Sequence, residues 1–356
     1  MPAPIVTPSP YKVAWVKDID LLRLGWLESG AAGEVTVGLP LKPFRPPYSR
    51  QPRRKRFDVD QGEFFEPSLD HPHRQQGRSP MDWKTILVHC NDARRAYRLL
   101  TPAVALADRF QSHLVGLSVV PPMTIASAGS APPILIDAQC ELYREQLPQL
   151  REAFDEMTRG KTFGSEWRDV DAGAFRVAEI VLAHGRAADL IVASHADAGW
   201  MFSESLDVAD RLAVESGRPV LIVPNEHADS RIGTRVLVAW SGQRESARAV
   251  FDALPILKKS EAVKIVRVAQ DTSEDVLART SDIAGTLKRH DVKCERTNLV
   301  ALETGVGETL AGCAKDFRAD LLVMGCYGHS RLREFILGGA SRYFLSEAKI
   351  PVLMSH

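Results

Sequence analysis

The chain has 356 residues, 45% of them apolar and 25% charged, which is enough for two domains of ordinary size with their own hydrophobic cores. Lysine plus arginine and aspartate plus glutamate number 45 each, and this balance argues against a nucleic acid or an anionic membrane as the partner. The five cysteines are scattered without a CxxC pair, which favours a reducing compartment over a disulfide or zinc framework. Because no secretory segment opens the chain and no apolar run approaches the roughly 20 residues of a membrane span, we expect a cytoplasmic protein.

Residues 1–80 differ in composition from the rest of the chain. They contain clustered prolines and a basic run at residues 50–56. Such a segment buries little apolar surface, so we predict a disordered extension whose charges are solvated. An alternative is that the natural product begins at Met81.

Residues 81–226 are predicted to form a first α/β domain. The predicted strands are 85–89, 113–120, 165–170, 189–193 and 219–223, and the predicted helices are 92–100, 138–157, 175–184 and 205–216. Asp92 is expected to cap the first helix. Strands that are apolar on both faces and alternate with helices indicate a doubly wound parallel sheet.

Residues 233–356 repeat this pattern and are predicted to form a second domain. The predicted strands are 235–239, 262–269, 292–298, 319–324 and 350–354, and the predicted helices are 244–250, 275–289, 304–317 and 341–347. The clearest self-similarities are Ala188-Asp189-Leu190 against Ala319-Asp320-Leu321, and Pro219-Val220-Leu221 against Pro351-Val352-Leu353. The sequence therefore predicts two tandem five-stranded sheets of one fold.

A glycine-rich loop follows the fourth strand of the second repeat. It has the spacing Gly325-x2-Gly328-x9-Gly338 and leads into a helix near Ser341. Glycines let backbone N–H groups approach an anion, and a helix N-terminus favours negative charge. If the strand order is 3-2-1-4-5, the ligand crevice lies between strands one and four, where this loop begins. The competing interpretation is that the glycines serve only a tight turn and close packing.

On these residues, the chain from about residue 84 onward resembles the nucleotide-binding branch of the universal stress protein family, with its adenine nucleotide alpha hydrolase-like fold. The resemblance implies that the ribose and phosphates are approached by Met324, Gly325 and Gly328, that the phosphates are faced by Gly338, Gly339 and Ser341, and that the adenosine end is bordered by Ala239, Ser241 and Val268. The implied ligand is ATP or another adenine nucleotide, with or without Mg²⁺.

Two positions depart from the family pattern. Ser241 stands where the family usually has an aspartate, and Gly339 stands where it usually has a serine or threonine. Ser241 carries no charge and reaches less far, and one hydroxyl is missing at the phosphate end. The resemblance therefore implies weakened binding.

The first repeat lacks the glycines. Its loop carries Asp197 and Asp207 where phosphates would lie, so we expect repulsion and no ATP binding in this half. His89, His195 and these two acids form a conceivable metal or acid/base group. No HExxH, GxSxG or P-loop pattern supports it, so solvated side chains are the simpler interpretation.

Two further activities are weaker alternatives. Cys326 precedes a helix, and a helix N-terminus lowers a thiol pKa, which would suit redox sensing. A slow ATPase would need His329 or Glu334 to position water, and no pattern supports either residue.

The sequence thus favours a non-catalytic stress protein in which nucleotide occupancy is read by a protein partner. The last strands, near 219–223 and 351–354, are expected to pair the domains as an internal pseudo-dimer, and a homo-oligomer is compatible with this. The main alternative is a nucleotide-free docking and dimerisation module.

Overall fold

The computed structural model describes residues 82–121, 141–173, 175–197, 199–200, 203–227, 229–269, 274–326 and 339–356. The predicted N-terminal extension and the loop residues Gly328 and Gly338 lie outside these ranges. Within the described ranges, no helix combines the length and the apolar character that crossing a bilayer requires.

The described chain alternates strands and helices from end to end. The strands are β1 (Thr85–His89), β2 (His113–Val120), β3 (Ser165–Asp171), β4 (Leu190–Ser194), β5 (Val220–Val223), β6 (Arg235–Ala239), β7 (Ala262–Ala269), β8 (Cys294–Val300), β9 (Leu321–Gly325) and β10 (Val352–Ser355). The helices are α1 (Ala96–Phe110), α2 (Leu147–Thr158), α3 (Val177–Gly185), α4 (Ser203–Leu206), α5 (Ala209–Glu215), α6 (Arg244–Asp252), α7 (Leu254–Leu257), α8 (Glu274–Arg289), α9 (Val306–Phe317) and α10 (Ala340–Ser346).

All ten strands belong to one sheet, in the order β3-β2-β1-β4-β5-β10-β9-β6-β7-β8. Each half has the predicted order 3-2-1-4-5, and its strands are parallel. The halves meet where β5 pairs antiparallel with β10, with Leu221 opposite Leu353. The α/β fold is confirmed, and the two predicted five-stranded sheets continue as one.

Helices cover both faces of the sheet. One core cluster receives side chains from α1, α2, α6, α7 and α8, and we call this the α6/α8 face. The other receives side chains from α3, α5, α9 and α10, and we call this the α9/α10 face. Both clusters contain residues from both halves, so the sheet has a shared core on each side.

Three predicted helices begin or break elsewhere. Asp92 is not the cap of α1, which begins at Ala96, because the Asp92 carboxylate accepts the Arg94 N–H at 2.9 Å and stabilises the preceding turn. The helix predicted over 138–157 is interrupted: residues 141–144 are helical, residues 145–146 form a turn, and α2 begins at Leu147, where Pro148 lacks an N–H and suits the first turn. The helix predicted over 205–216 is two helices, because Val208 leaves the helical region with φ −118° and ψ 12°. Helix α7 was not predicted.

The repeated aspartate has the same task in both halves. Asp189 accepts the backbone N–H groups of Lys84 and Thr85 at 2.7 and 2.9 Å, where β1 begins. Asp320 accepts those of Thr234 and Arg235 at 3.0 and 3.1 Å, where β6 begins. Each carboxylate thus ties the start of strand one to strand four and satisfies N–H groups that precede the ladder.

We expect Asp320→Ala to lower the free energy of unfolding by about 2 kcal/mol, since two N–H groups lose a charged acceptor. Urea unfolding measures the change. Asp316→Ala, at an exposed position on α9, is the matched control and should stay close to wild type. Equal losses in both variants would contradict the assigned role.

Candidate functional site

In the first half, the carboxyl ends of β1 and β4 meet at a buried arginine. The Arg95 guanidinium donates through Nε to Asp92 at 2.9 Å, through Nη1 to the carbonyl of His195 at 2.9 Å, and through Nη2 to Asp207 at 3.0 Å. Its Nη1 also reaches Asn225 Oδ1 at 3.0 Å. We call Arg95 and these partners the Arg95 cluster. The residue is 5% exposed, so its charge is compensated by neighbours rather than by water.

Asp207 is equally well satisfied. Its Oδ1 also accepts Asn91 Nδ2 at 2.8 Å, and its Oδ2 accepts the Asp197 N–H and the Ser203 hydroxyl, both at 2.7 Å. The Asp207 side chain is 1% exposed. The Trp200 ring lies over the Arg95 guanidinium at 4.6 Å, a cation–π contact that shields the pair.

The structure therefore changes the reason for doubting a ligand in this half. We expected repulsion from Asp197 and Asp207, but Asp207 is neutralised by Arg95 and by four hydrogen bonds in all. The charged groups at the carboxyl ends of β1 and β4 are therefore paired with one another. The buried Nε2 atoms of His89 and His195 have no hydrogen-bond partner among the described residues.

Two histidines of this half, His89 and His195, are buried and neutral. Burial lowers the pKa of His89 to about 3, and the positive charge of Arg95 acts in the same direction. Burial also lowers the pKa of His195 to about 4, with the charge of Lys349 adding to the effect. Neither pKa suits a general acid or base near neutral pH. Among the described residues, no group of three or more His, Cys, Asp or Glu side chains is placed to hold a metal ion.

In the second half, three of the predicted site residues share one face at the carboxyl ends of the strands. Ala239 and Met324 are register partners at the ends of β6 and β9. Val268 lies near the end of β7, and all three side chains belong to the α9/α10 face. Met324 is buried, whereas Ala239 and Val268 are half-buried. They form an apolar wall beside the switch point of the sheet.

Gly325 has a packing role that the sequence did not reveal. A Cβ atom at this position would lie 2.5 Å from the backbone C of Glu245 and the backbone N of Ser246. These atoms belong to the first turn of α6, which cannot move away from the sheet without opening the core. The glycine is therefore required for the approach of α6 to β9, whether or not a ligand binds.

Ser241 is exposed and its hydroxyl takes part in the turn that starts α6. It donates to Ser246 Oγ at 3.1 Å and accepts the Gln243 N–H at 3.2 Å, while Ser246 donates to the Gln243 carbonyl at 2.8 Å. Gly242, in the same turn, has φ +77°, a left-handed conformation that glycine adopts without strain.

The remaining predicted residues lie around α10. Gly339 is the N-cap residue of α10, and Ser341, in its first turn, is 3% exposed. Cys326 is fully buried, its N–H donates to the Ser355 carbonyl at 2.8 Å, and its carbonyl accepts His356 Nδ1 at 2.8 Å. Such burial removes the access that a redox sensor needs. The loop residues Gly328, His329, Glu334 and Gly338 lie outside the described residues.

Sequence reasoning missed Arg95 and Arg267 as polar residues at the carboxyl ends of strands. Arg95 could have been noticed as an arginine shortly after a strand end, in the half whose loop lacks the glycines. Arg267 could have been noticed as a charged residue near the end of an otherwise apolar strand.

We expect Arg95→Met to lower the free energy of unfolding by roughly 3–5 kcal/mol, because it leaves the buried Asp207 without its cation. Asp92 keeps its ion pair with Arg94 at 2.7 Å. Arg211→Met is the matched control. Arg211 pairs with Glu215 on the surface, where such pairs contribute roughly 0–1 kcal/mol. Urea unfolding of both variants separates the two cases, and a small loss for Arg95→Met would show that the cluster is dispensable.

Stability should fall as the pH is lowered from 6.5 toward 4. In this window the unfolded chain binds protons at His89 and His195, and the folded chain does not. Each histidine contributes a slope of about 1.4 kcal/mol per pH unit. Urea unfolding at pH 7 and pH 5 measures the loss, and His89→Phe should reduce it. An unchanged slope in that variant would rule out His89 as a source.

Comparisons with known proteins agree with this architecture. Residues 234–356 match the model of the Universal stress protein family. A universal stress protein from Synechocystis, Slr1230, is 28% identical over 147 residues, which span 40% of this chain and 49% of that protein, so the match covers about half of the relative's length. A crystal structure of a universal stress protein from Archaeoglobus fulgidus has a TM-score of 0.58 at 16% identity and covers 76% of this chain and 95% of its own.

A universal stress protein solved in complex with cAMP is 25% identical over 35% of this chain and 96% of its own length, with a TM-score of 0.29. The Archaeoglobus structure shares the fold, and the family model matches the half that carries the glycine loop. Residues 234–356 are therefore the part of the chain that is similar to the universal stress protein family.

Proposed function

We propose that the second domain, residues 233–356, binds an adenine nucleotide at the carboxyl ends of β6 and β9, and that a protein partner in the cytoplasm reads its occupancy. The observation that carries the proposal is the family match over this half, together with the Gly325-x2-Gly328-x9-Gly338 spacing that begins at the end of β9. In an open parallel sheet this is the position at which ligands bind.

The described residues supply the adenosine end of such a site. Ala239, Val268 and Met324 offer an apolar wall of the kind that ring systems bind against. Ser241 is exposed next to this wall, although its hydroxyl already supports the turn into α6. Gly339 and Ser341 would stand at the phosphate end with Gly325, Gly328 and Gly338, and Mg²⁺ is compatible with a polyphosphate there.

We propose that residues 81–226 form a partner domain that binds no nucleotide. The Arg95 cluster supports this, because the guanidinium at the ends of β1 and β4 already has acceptors for Nε, Nη1 and Nη2 within the chain. The β5–β10 ladder would hold the two domains together as an internal pseudo-dimer. Pairing inside one chain uses the strand edges that would otherwise be open to a second copy.

A second candidate is a nucleotide-free docking module, and one observation favours it. The packing of α6 against β9 accounts for Gly325 without any ligand. Hydrolysis has no comparable support among the described residues. The two histidines whose pKa is strongly lowered, His89 and His195, are buried in the first half.

Equilibrium binding of labelled ATP tests the proposed site. Gly338→Asp should weaken binding by about tenfold or more, since a carboxylate would oppose the phosphates. Gly312→Asp, on the exposed side of α9, is the matched control with the same change of charge. Gly328→Ala probes the close backbone approach and should also weaken binding.

Equal affinity in all these variants would refute the site. The docking module is tested separately by denaturing the purified protein and identifying any released nucleotide by mass spectrometry. Release of an adenine nucleotide would contradict a nucleotide-free module.

A further inference from the structure

Three adjacent strands of the second half carry polar side chains in one row on the α6/α8 face. Arg267 of β7 and Asn298 of β8 are register partners. Trp240 follows β6, and its N–H donates to the Val266 carbonyl at 2.8 Å, so the ladder places it beside Arg267. Trp240 packs against the core cluster to which α6 and α8 contribute. The row therefore lies on the opposite face of the sheet from Ala239, Val268 and Met324.

The donors of this row lack acceptors. Among the residues that the structure describes, no acceptor reaches Nε or Nη1 of Arg267 or Nε1 of Trp240, although these atoms are buried. Asn298 does not help, because its Oδ1 already accepts the Thr280 hydroxyl at 3.2 Å. A buried donor without an acceptor is costly, and a buried guanidinium without one is costlier still.

The turn into α6 leaves room for this guanidinium. A Cβ atom at Gly242 would lie 3.0 Å from Nη1 of Arg267, a tight contact that glycine avoids. Gly242 thus lies next to the guanidinium and also forms the left-handed turn. Trp240 and Arg267 are both half-buried, and the neighbouring Ser241 is exposed, so the buried donors lie close to the surface at the end of the strands.

Arg95 offers a comparison, because it is an arginine of this protein with a structural role. Arg95 lies at the carboxyl end of a strand in the first half, and its Nε, Nη1 and Nη2 all have acceptors within 3.0 Å. Arg267 lies within β7 of the second half, and its Nε and Nη1 have no acceptor among the described residues. A guanidinium with an unpaired N–H suits a carboxylate or phosphate group, because a charge-assisted hydrogen bond is stronger than a neutral one.

We propose that Arg267 and Trp240 form a binding site for a compact anion, either a carboxylate or a phosphate group, at the carboxyl ends of β6 and β7 on the α6/α8 face. The guanidinium supplies the charge and an N–H donor, and the indole N–H of Trp240 supplies a second donor. The site is distinct from the proposed nucleotide site, because its side chains point to the other face of the sheet.

Titration of the full-length protein with inorganic phosphate and with acetate, against sodium chloride at equal ionic strength, tests the site. Binding should raise the melting temperature and change the tryptophan fluorescence, and Trp240→Phe should remove the fluorescence change. A response to phosphate, to acetate or to both supports the site and identifies the group that it prefers. No response of the wild type to either anion beyond that to chloride would overturn the proposal.

Arg267→Met should weaken the apparent affinity for the responding anion by about tenfold or more. Without the anion, its melting temperature should equal or exceed that of wild type, because the variant removes an uncompensated charge. Arg296→Met, at an exposed position of β8 on the same face, is the matched control and should keep the response. If Arg267→Met lowered the melting temperature as much as Arg95→Met does, Arg267 would be a structural arginine and the proposal would be overturned. An equal loss of the anion response in Arg267→Met and Arg296→Met would also overturn it. ATP binding by Arg267→Met reports on the nucleotide site independently.

Discussion

The antiparallel ladder between β5 and β10 is the contact on which the rest of the described structure depends. Its register partners, Val220 to Ile222 and Val352 to Met354, are at most 1% exposed. Each half alone would leave one of these strands as an apolar edge, open to pairing with another chain. When β5 and β10 pair, the sheet is continuous, and each of the two core clusters contains residues from both halves. The carboxyl ends of the remaining strands are thereby fixed on a common framework.

The two halves use this framework in opposite ways. At the ends of β1 and β4, Arg95 satisfies Asp92 and Asp207, and the low pKa values of His89 and His195 follow from the same dry surroundings. In the second half, the strand ends carry an apolar wall on one face and, within the described ranges, donors without acceptors on the other. The two halves thus differ in how the arginine near their strand ends is paired.

The strand positions and their order could be predicted from the sequence. Strands buried on both faces appear as continuous apolar runs, and the repeat of Ala-Asp-Leu marked equivalent strands, although the hydrogen bonds of Asp189 and Asp320 were not foreseen. Helix bounds were less predictable, since the break before α5 depends on side chains that are distant in sequence. The same holds for Arg95: its partners lie up to 130 residues away, and no local pattern encodes such a set.

The candidate site was predictable in part. The apolar residues at the ends of β6, β7 and β9 were identified from their position after each strand, whereas the hydroxyl of Ser241 proved to be engaged in its own turn. Arg267 escaped notice because its significance lies in missing acceptors, which only coordinates reveal.

Gly325 illustrates a wider consequence of backbone crowding. Its missing side chain admits the first turn of α6, so selection for a tightly seated helix would preserve the residue after nucleotide affinity had been lost. A glycine at this position alone is therefore no evidence for a nucleotide, and the diagnostic weight of the loop rests on the glycines that follow it.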